Sequence, residues 1–153
     1  MFSDHDLLDF VAWPNPATLT GEQVREIIGS VRRFIDFDQT ISDDNGWTGR
    51  DWLCGKLLHE FLAEEPFIIQ TWNPAGARDF FFEKGRFASL PRPRLILNPP
   101  NKVIQTFTVV VNGEDEERFK LAKDFEALGI TGVQIIDDMP HLVHAPGCEI
   151  ILP

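Results

Sequence analysis

The chain has 153 residues, 43% of them hydrophobic, and a formal net charge of −10. That length suffices for one domain with a buried core, and the composition excludes a disordered or low-complexity chain. The negative charge argues against non-specific binding along a nucleic-acid backbone. No apolar run approaches the ~20 residues of a membrane-spanning helix. The acidic start "MFSDHDLLDF" lacks the basic region of a secretory signal, so a cytoplasmic protein is expected. Cys54 and Cys148 form no C-x-x-C pair, and reduced, structural thiols are expected.

Residues 1–18 read as irregular, with Pro14 and Pro16 interrupting the chain. Thr20-Gly21-Glu22-Gln23 has capping-box spacing, and Val24, Ile27, Ile28 and Val31 then recur at helical intervals. A first strand follows over Phe34–Phe37 and ends in the acids of "RRFIDFDQTISDD". A second helix is predicted over residues 49–63, with Leu53, Leu57, Leu58, Phe61 and Leu62 on its apolar side. Phe67-Ile68-Ile69 reads as a strand buried on both faces. Asn73 and Pro74 then suit the N-cap and first position of a helix that Gly85 would stop.

"RLILN", residues 94–98, is a third strand, closed by Pro99 and Pro100. "VIQTFTVVVNG" reads as extended, an additional strand or a hairpin arm. A charged amphipathic helix is predicted from Glu114 to Leu128, on the spacing of Phe119, Ala122, Phe125 and Leu128. "GVQIIDD" is a fourth core strand and "CEIIL", residues 148–152, a fifth. Apolar strands alternating with helices predict an α/β three-layer sandwich, a Rossmann-like parallel sheet of about five strands with helices on both faces. Residues 1–31 are then an N-terminal extension with one helix, and residues 32–153 the α/β domain proper.

In parallel sheets, ligands bind beyond the carboxyl ends of the strands. There the chain places Asp36, Asp38 and Thr40, then Thr71 with Trp72 and Asn73, then Asp137 and Asp138. Lys120 and Lys123 lie on the segment that feeds the fourth strand. Clustered carboxylates repel one another and favour a cation between them. An all-oxygen set without His or Cys suits Mg²⁺. A carboxylate beside such an ion can attack phosphorus, with hydroxyl and ammonium groups supporting the equatorial oxygens.

These motifs carry a family resemblance. "FIDFDQT" resembles the first motif of the haloacid dehalogenase (HAD) superfamily, an apolar strand followed by D-x-D-x-T. "FIIQTWNPAGARDFFFEKG" is similar to its second motif, and "VQIIDDMPHLVHAPGCEIIL" to its fourth. The resemblance implies a Mg²⁺-dependent phosphohydrolase in which Asp36 is nucleophile and metal ligand. It implies that Asp38 is the general acid/base, with its backbone carbonyl on the metal, and that Thr71 binds the phosphoryl group. Asp137 completes the metal site with Asp138 in support, and Thr40 shapes the turn.

The third motif is a lysine, either Lys120 or Lys123, with Lys120 favoured for its place nearer the start of the predicted helix. Gln39 stands where the family most often has Gly. About 30 residues separate the first two strands, too few for a separate cap domain. Cap-less members act on large substrates such as phosphoproteins or polynucleotide ends, and five basic residues from Lys84 to Lys102 suggest an anion-attracting rim at this edge. The alternative is a HAD-like fold serving as a binding protein with weak or no catalysis. A phospho-receiver domain does not fit, because its acceptor acid follows the third strand and here that strand ends in "NPPN". His141-x-x-His144 lacks a third ligand of its type and reads as surface.

Overall fold

The computed structural model describes residues 1–42, 58–83 and 89–153. A mixed α/β architecture is built on one six-stranded and one three-stranded sheet. Helix α1 spans Asp4–Leu7, strand β1 Val11–Trp13 and helix α2 Gly21–Ser30. Strand β2 is Arg33–Asp36, helix α3 Leu58–Ala63, strand β3 Phe67–Gln70 and helix α4 Pro74–Arg78. A π-helical stretch, Asp79–Glu83, continues α4. Then come β4 (Ile96–Leu97), β5 (Asn101–Val111), β6 (Glu114–Asp124), β7 (Gln134–Ile136), β8 (Val143–His144) and β9 (Glu149–Ile151). No helix among the described residues is long and apolar enough to cross a membrane.

The larger sheet has the order β1-β4-β3-β2-β7-β9. Each neighbouring pair from β4 to β9 is parallel, and β1 joins β4 antiparallel. Apolar residues along these strands alternate between two cores, as strand geometry requires. Phe34, Ile68, Leu97 and Ile135 pack with Val24 and Ile28 of α2 on one face. Ile35, Ile69, Ile96 and Ile136 pack with Phe61, Leu62, Ala77, Phe80 and Phe81 on the other. The five predicted core strands are present. The capping box also forms, Thr20 Oγ1 accepting from Gln23 N (3.1 Å) and Gln23 Oε1 from Thr20 N (2.9 Å).

Two expectations are corrected. The segment before α2 is not merely irregular: α1 packs on α2, and β1 extends the main sheet beyond β4. Gly21 permits this docking, because a Cβ there would fall 1.9 Å from the Asp4 carbonyl oxygen. The predicted helix from Glu114 to Leu128 is instead β6, the second arm of a long hairpin with β5. Asn112 and Gly113 connect the arms with φ of 53° and 78°. Two consecutive positive φ values in a two-residue loop are the mark of a type I′ hairpin, and Asn-Gly is its preferred pair. That turn and the β-branched partner strand override the helical spacing of Phe119, Ala122 and Phe125.

Of the predicted helix over residues 49–63, only the end is described, as α3. Trp47, Trp52, Cys54, Lys84, Gly85 and Arg86 lie outside the described residues.

Candidate active site

Strand register determines which side chains meet. Asp36 is level with Gln70 across β2–β3, and Ile35 is level with Ile136 across β2–β7. The residues that end these strands, Asp36, Thr71 and Asp137, therefore emerge side by side at one edge. All three are at most 5% exposed. After β2 the chain folds into a tight turn, in which the Phe37 carbonyl accepts from the backbone N–H groups of Thr40, Ile41 and Ser42. This turn brings Thr40 back beneath the acids, its hydroxyl 3.2 Å from Asp36 Oδ2 and 3.3 Å from Asp138 Oδ1.

Lys123, not Lys120, reaches this cluster. Its Nζ donates to Asp36 Oδ1 at 2.7 Å and to Asp137 Oδ2 at 3.0 Å, with its side chain only 8% exposed. Lys120 sits on the solvent-exposed part of the hairpin, level with Gln105. The preference for Lys120 depended on a helix whose first turns would face the strand ends. In the hairpin, only the base of β6, where Ala122 and Lys123 are buried, enters the body of the protein.

The remaining partners orient the acids. Asp137 Oδ1 accepts from the Met139 backbone N–H (2.9 Å), and Asp137 Oδ2 accepts from Gln70 Nε2 (3.1 Å). Asp38 is exposed, and its Oδ1 accepts from Asn73 Nδ2 at 3.3 Å. Asn73 also caps α4 through its Oδ1, and its backbone N–H donates to Thr71 Oγ1 (2.9 Å), so the Thr71 hydroxyl keeps its own proton to donate. Gln70 was missed by the sequence reading, which gave it no role. The available signal was an amide directly before the strand-end threonine, where an apolar residue would suit a buried strand.

A cavity of about 170 Å³ opens above this set, with Asp36, Asp38, Thr71, Lys123, Asp137 and Asp138 along its polar part. Asp36, Asp137 and Asp138 each offer an oxygen within 4.8 Å of the others. Three carboxylate oxygens without nitrogen or sulfur fit a hard divalent cation such as Mg²⁺. Burial pushes the Asp36 carboxyl up to about 7; Lys123 pulls it down and Asp137 raises it further. For Lys123, burial opposes the charge, but attraction to Asp36 and Asp137 outweighs it and raises its pKa above the ordinary lysine value.

Among the described residues, the expected basic rim does not gather here, and Lys84 and Arg86 lie outside them. Arg92 and Arg94 line a groove with Glu64, Glu65 and Phe67, at the opposite end of β3 from Thr71. Lys102 lies 3.7 Å from Glu126 and 2.8 Å from His144 Nε2. His144 is also 3.6 Å from Glu126, and His141 is exposed, in keeping with a surface role for that pair. Comparison of the chain with protein-family models, with curated proteins and with solved structures returns no match.

Two outcomes follow for the isolated protein. Lys123→Met strands two buried carboxylates and should lower unfolding stability in chelator by about 3 kcal/mol. Lys120→Met should change it by less than about 0.5 kcal/mol in the same urea melts. The pH dependence has a definite sign. An unfolded aspartate loses its proton near pH ~4, whereas folded Asp36 does so at about 7, so the folded state binds more protons in between. The stabilising contribution of Asp36 is full below the lower value and is lost as pH rises through the higher one. Metal-free wild type should therefore lose stability between pH 5 and 7.5, and Asp36→Asn should flatten that slope; an unchanged slope in the variant would refute the assignment.

Proposed function

We propose that the chain is a Mg²⁺-dependent phosphohydrolase of the HAD type, with Asp36 as the nucleophile toward phosphate monoesters. In this reading the parallel strands with helical elements on both faces are a Rossmann-like three-layer sandwich without a separate cap, in a cytoplasmic protein. The observation that carries it is the bridge of Lys123 between Asp36 and Asp137, made where the acids of β2 and β7 and the hydroxyl after β3 meet. A structural ion pair needs one carboxylate. Here four acids, a buried threonine and an ammonium share one small cavity.

Mg²⁺ bound by Asp36, Asp137 and Asp138, with the Asp38 backbone, would neutralise the carboxylates and the phosphoryl oxygens. Thr71 donates its hydroxyl to a phosphoryl oxygen, and Lys123 supplies positive charge beside the nucleophile. The Asp36 carboxylate attacks phosphorus as the bond to the leaving oxygen breaks, and Asp38, held by Asn73, gives that oxygen its proton. Water then attacks the aspartyl-phosphate, returns a proton to Asp38 and releases inorganic phosphate. Asp38 suits this exchange because it lines the cavity, is held by Asn73 and is open to the solvent that supplies the attacking water. Thr40 and Gln70 position the two buried acids.

Gln39 bears on the alternative of a non-catalytic relative. Its φ is 61°, the left-handed conformation for which Gly is the unstrained residue. The turn thus keeps the backbone course that a glycine would take, at a cost of roughly 1–2 kcal/mol. Its departure from the family pattern removes no group that the proposed chemistry uses.

The test is hydrolysis of a generic phosphate monoester. Turnover should require Mg²⁺, fall below detection in Asp36→Asn, and drop by roughly 10²–10⁴-fold in Asp38→Asn. Absence of turnover across a broad panel of monoesters, together with no Mg²⁺ binding by calorimetry, would overturn the proposal.

A further inference from the structure

The walls of the cavity differ from its floor. Among the described residues, its lining is completed by Gln39 and by three large apolar side chains, Trp72, Met139 and Leu142. Trp72 is 41% exposed and Met139 43%, so two of these sit open at the mouth. Apolar and aromatic walls around a few convergent polar groups are the usual make-up of a small-molecule site. Trp72 directly follows Thr71, and Lys123 Nζ lies 5.5 Å from the centre of its ring. The indole is therefore close to the point where the phosphoryl group would be held. Trp72 also forms a wall of a neighbouring groove, where Phe10, Pro99, Pro100 and Leu121 are mixed with Asp9, Asn98 and Asn101.

Charge narrows the choice further. Among the described residues, Lys123 is the only cation lining the cavity, and both its short contacts are to acids. Asp9 is the only charged residue among the described residues that line the neighbouring groove. Among the described residues, a leaving group with more phosphates would meet carboxylates and apolar walls here. An aromatic leaving group would instead lie against Trp72, Met139 and Leu142, where ring–ring and sulfur–ring contacts are favourable.

Resting on the phosphohydrolase reading, we propose that the substrate class is the phosphate monoester of an aromatic alcohol, with Trp72 as the residue that selects the ring. The preference comes from the leaving group and not from the phosphoryl, which the acids, Thr71 and Lys123 treat alike in every monoester.

Phenylphosphonate and methylphosphonate separate the two, since both carry the phosphoryl dianion and only one carries the ring. Calorimetric titration with Mg²⁺ present should show phenylphosphonate binding roughly fivefold or more tightly. Trp72→Ala should bring that ratio to within about twofold of unity, while Trp72→Phe keeps most of it, because the effect is that of one aromatic contact. Equal binding of the two phosphonates by wild type, or a ratio that persists in Trp72→Ala, overturns this inference alone. If neither phosphonate binds, the phosphohydrolase reading falls and this inference with it.

Discussion

The position of one ammonium group governs the rest of the site. Asp36 and Asp137 are brought together because β2 and β7 are neighbours, and both carboxylates are buried. Two such charges without a cation would be costly enough to expel one of them or force its protonation. Lys123 meets both, and it comes from the base of the β5–β6 hairpin. The hairpin projects into solvent for most of its length, yet its last residues are tied into the centre of the molecule by this contact and by the backbone bond from Phe125 N to the His144 carbonyl. Fold and site are thus coupled: an arm that contributes little to the core delivers the charge that lets the acids coexist.

A division of roles follows from burial. Asp36 is enclosed, oriented by Thr40 and Lys123, and Asp137 is held by Gln70 and the Met139 backbone. Asp38 stands outside this group, in reach of solvent and of a single amide from Asn73. Two carboxylates separated by one residue thereby differ in reach, and in the proposed reaction Asp36, fixed beside the ammonium, attacks while Asp38, open to solvent, exchanges protons. The turn that separates them depends on the left-handed backbone at Gln39.

Much of this was legible in the sequence because it depends on local rules. Short apolar runs located the strands, two of them ending in acids, and a parallel sheet of such strands necessarily collects their end residues at one edge. The Thr20 capping box and the Asn73-Pro74 helix start follow from side chains a few residues apart, and both form. What escaped is what depends on distant partners. The segment from Glu114 to Asp124 has the charge and spacing of a helix, and only its pairing with β5 makes it a strand. With the helix went the placement of the lysine, since Lys120 and Lys123 are one turn apart on a helix but, three residues apart on a strand, one is exposed and the other buried. The Asn112-Gly113 turn was the local clue to that pairing. Gln70 escaped because its role is set by Asp137, 67 residues away.

The most direct test of the central claim is to trap the covalent intermediate. Wild-type protein mixed with Mg²⁺ and a labelled phosphate monoester, then quenched in acid and digested, should carry label on the peptide containing Asp36, and hydroxylamine should remove it, as expected for an acyl phosphate. Label on another residue, or turnover with no labelled protein at any quench time, would contradict the account.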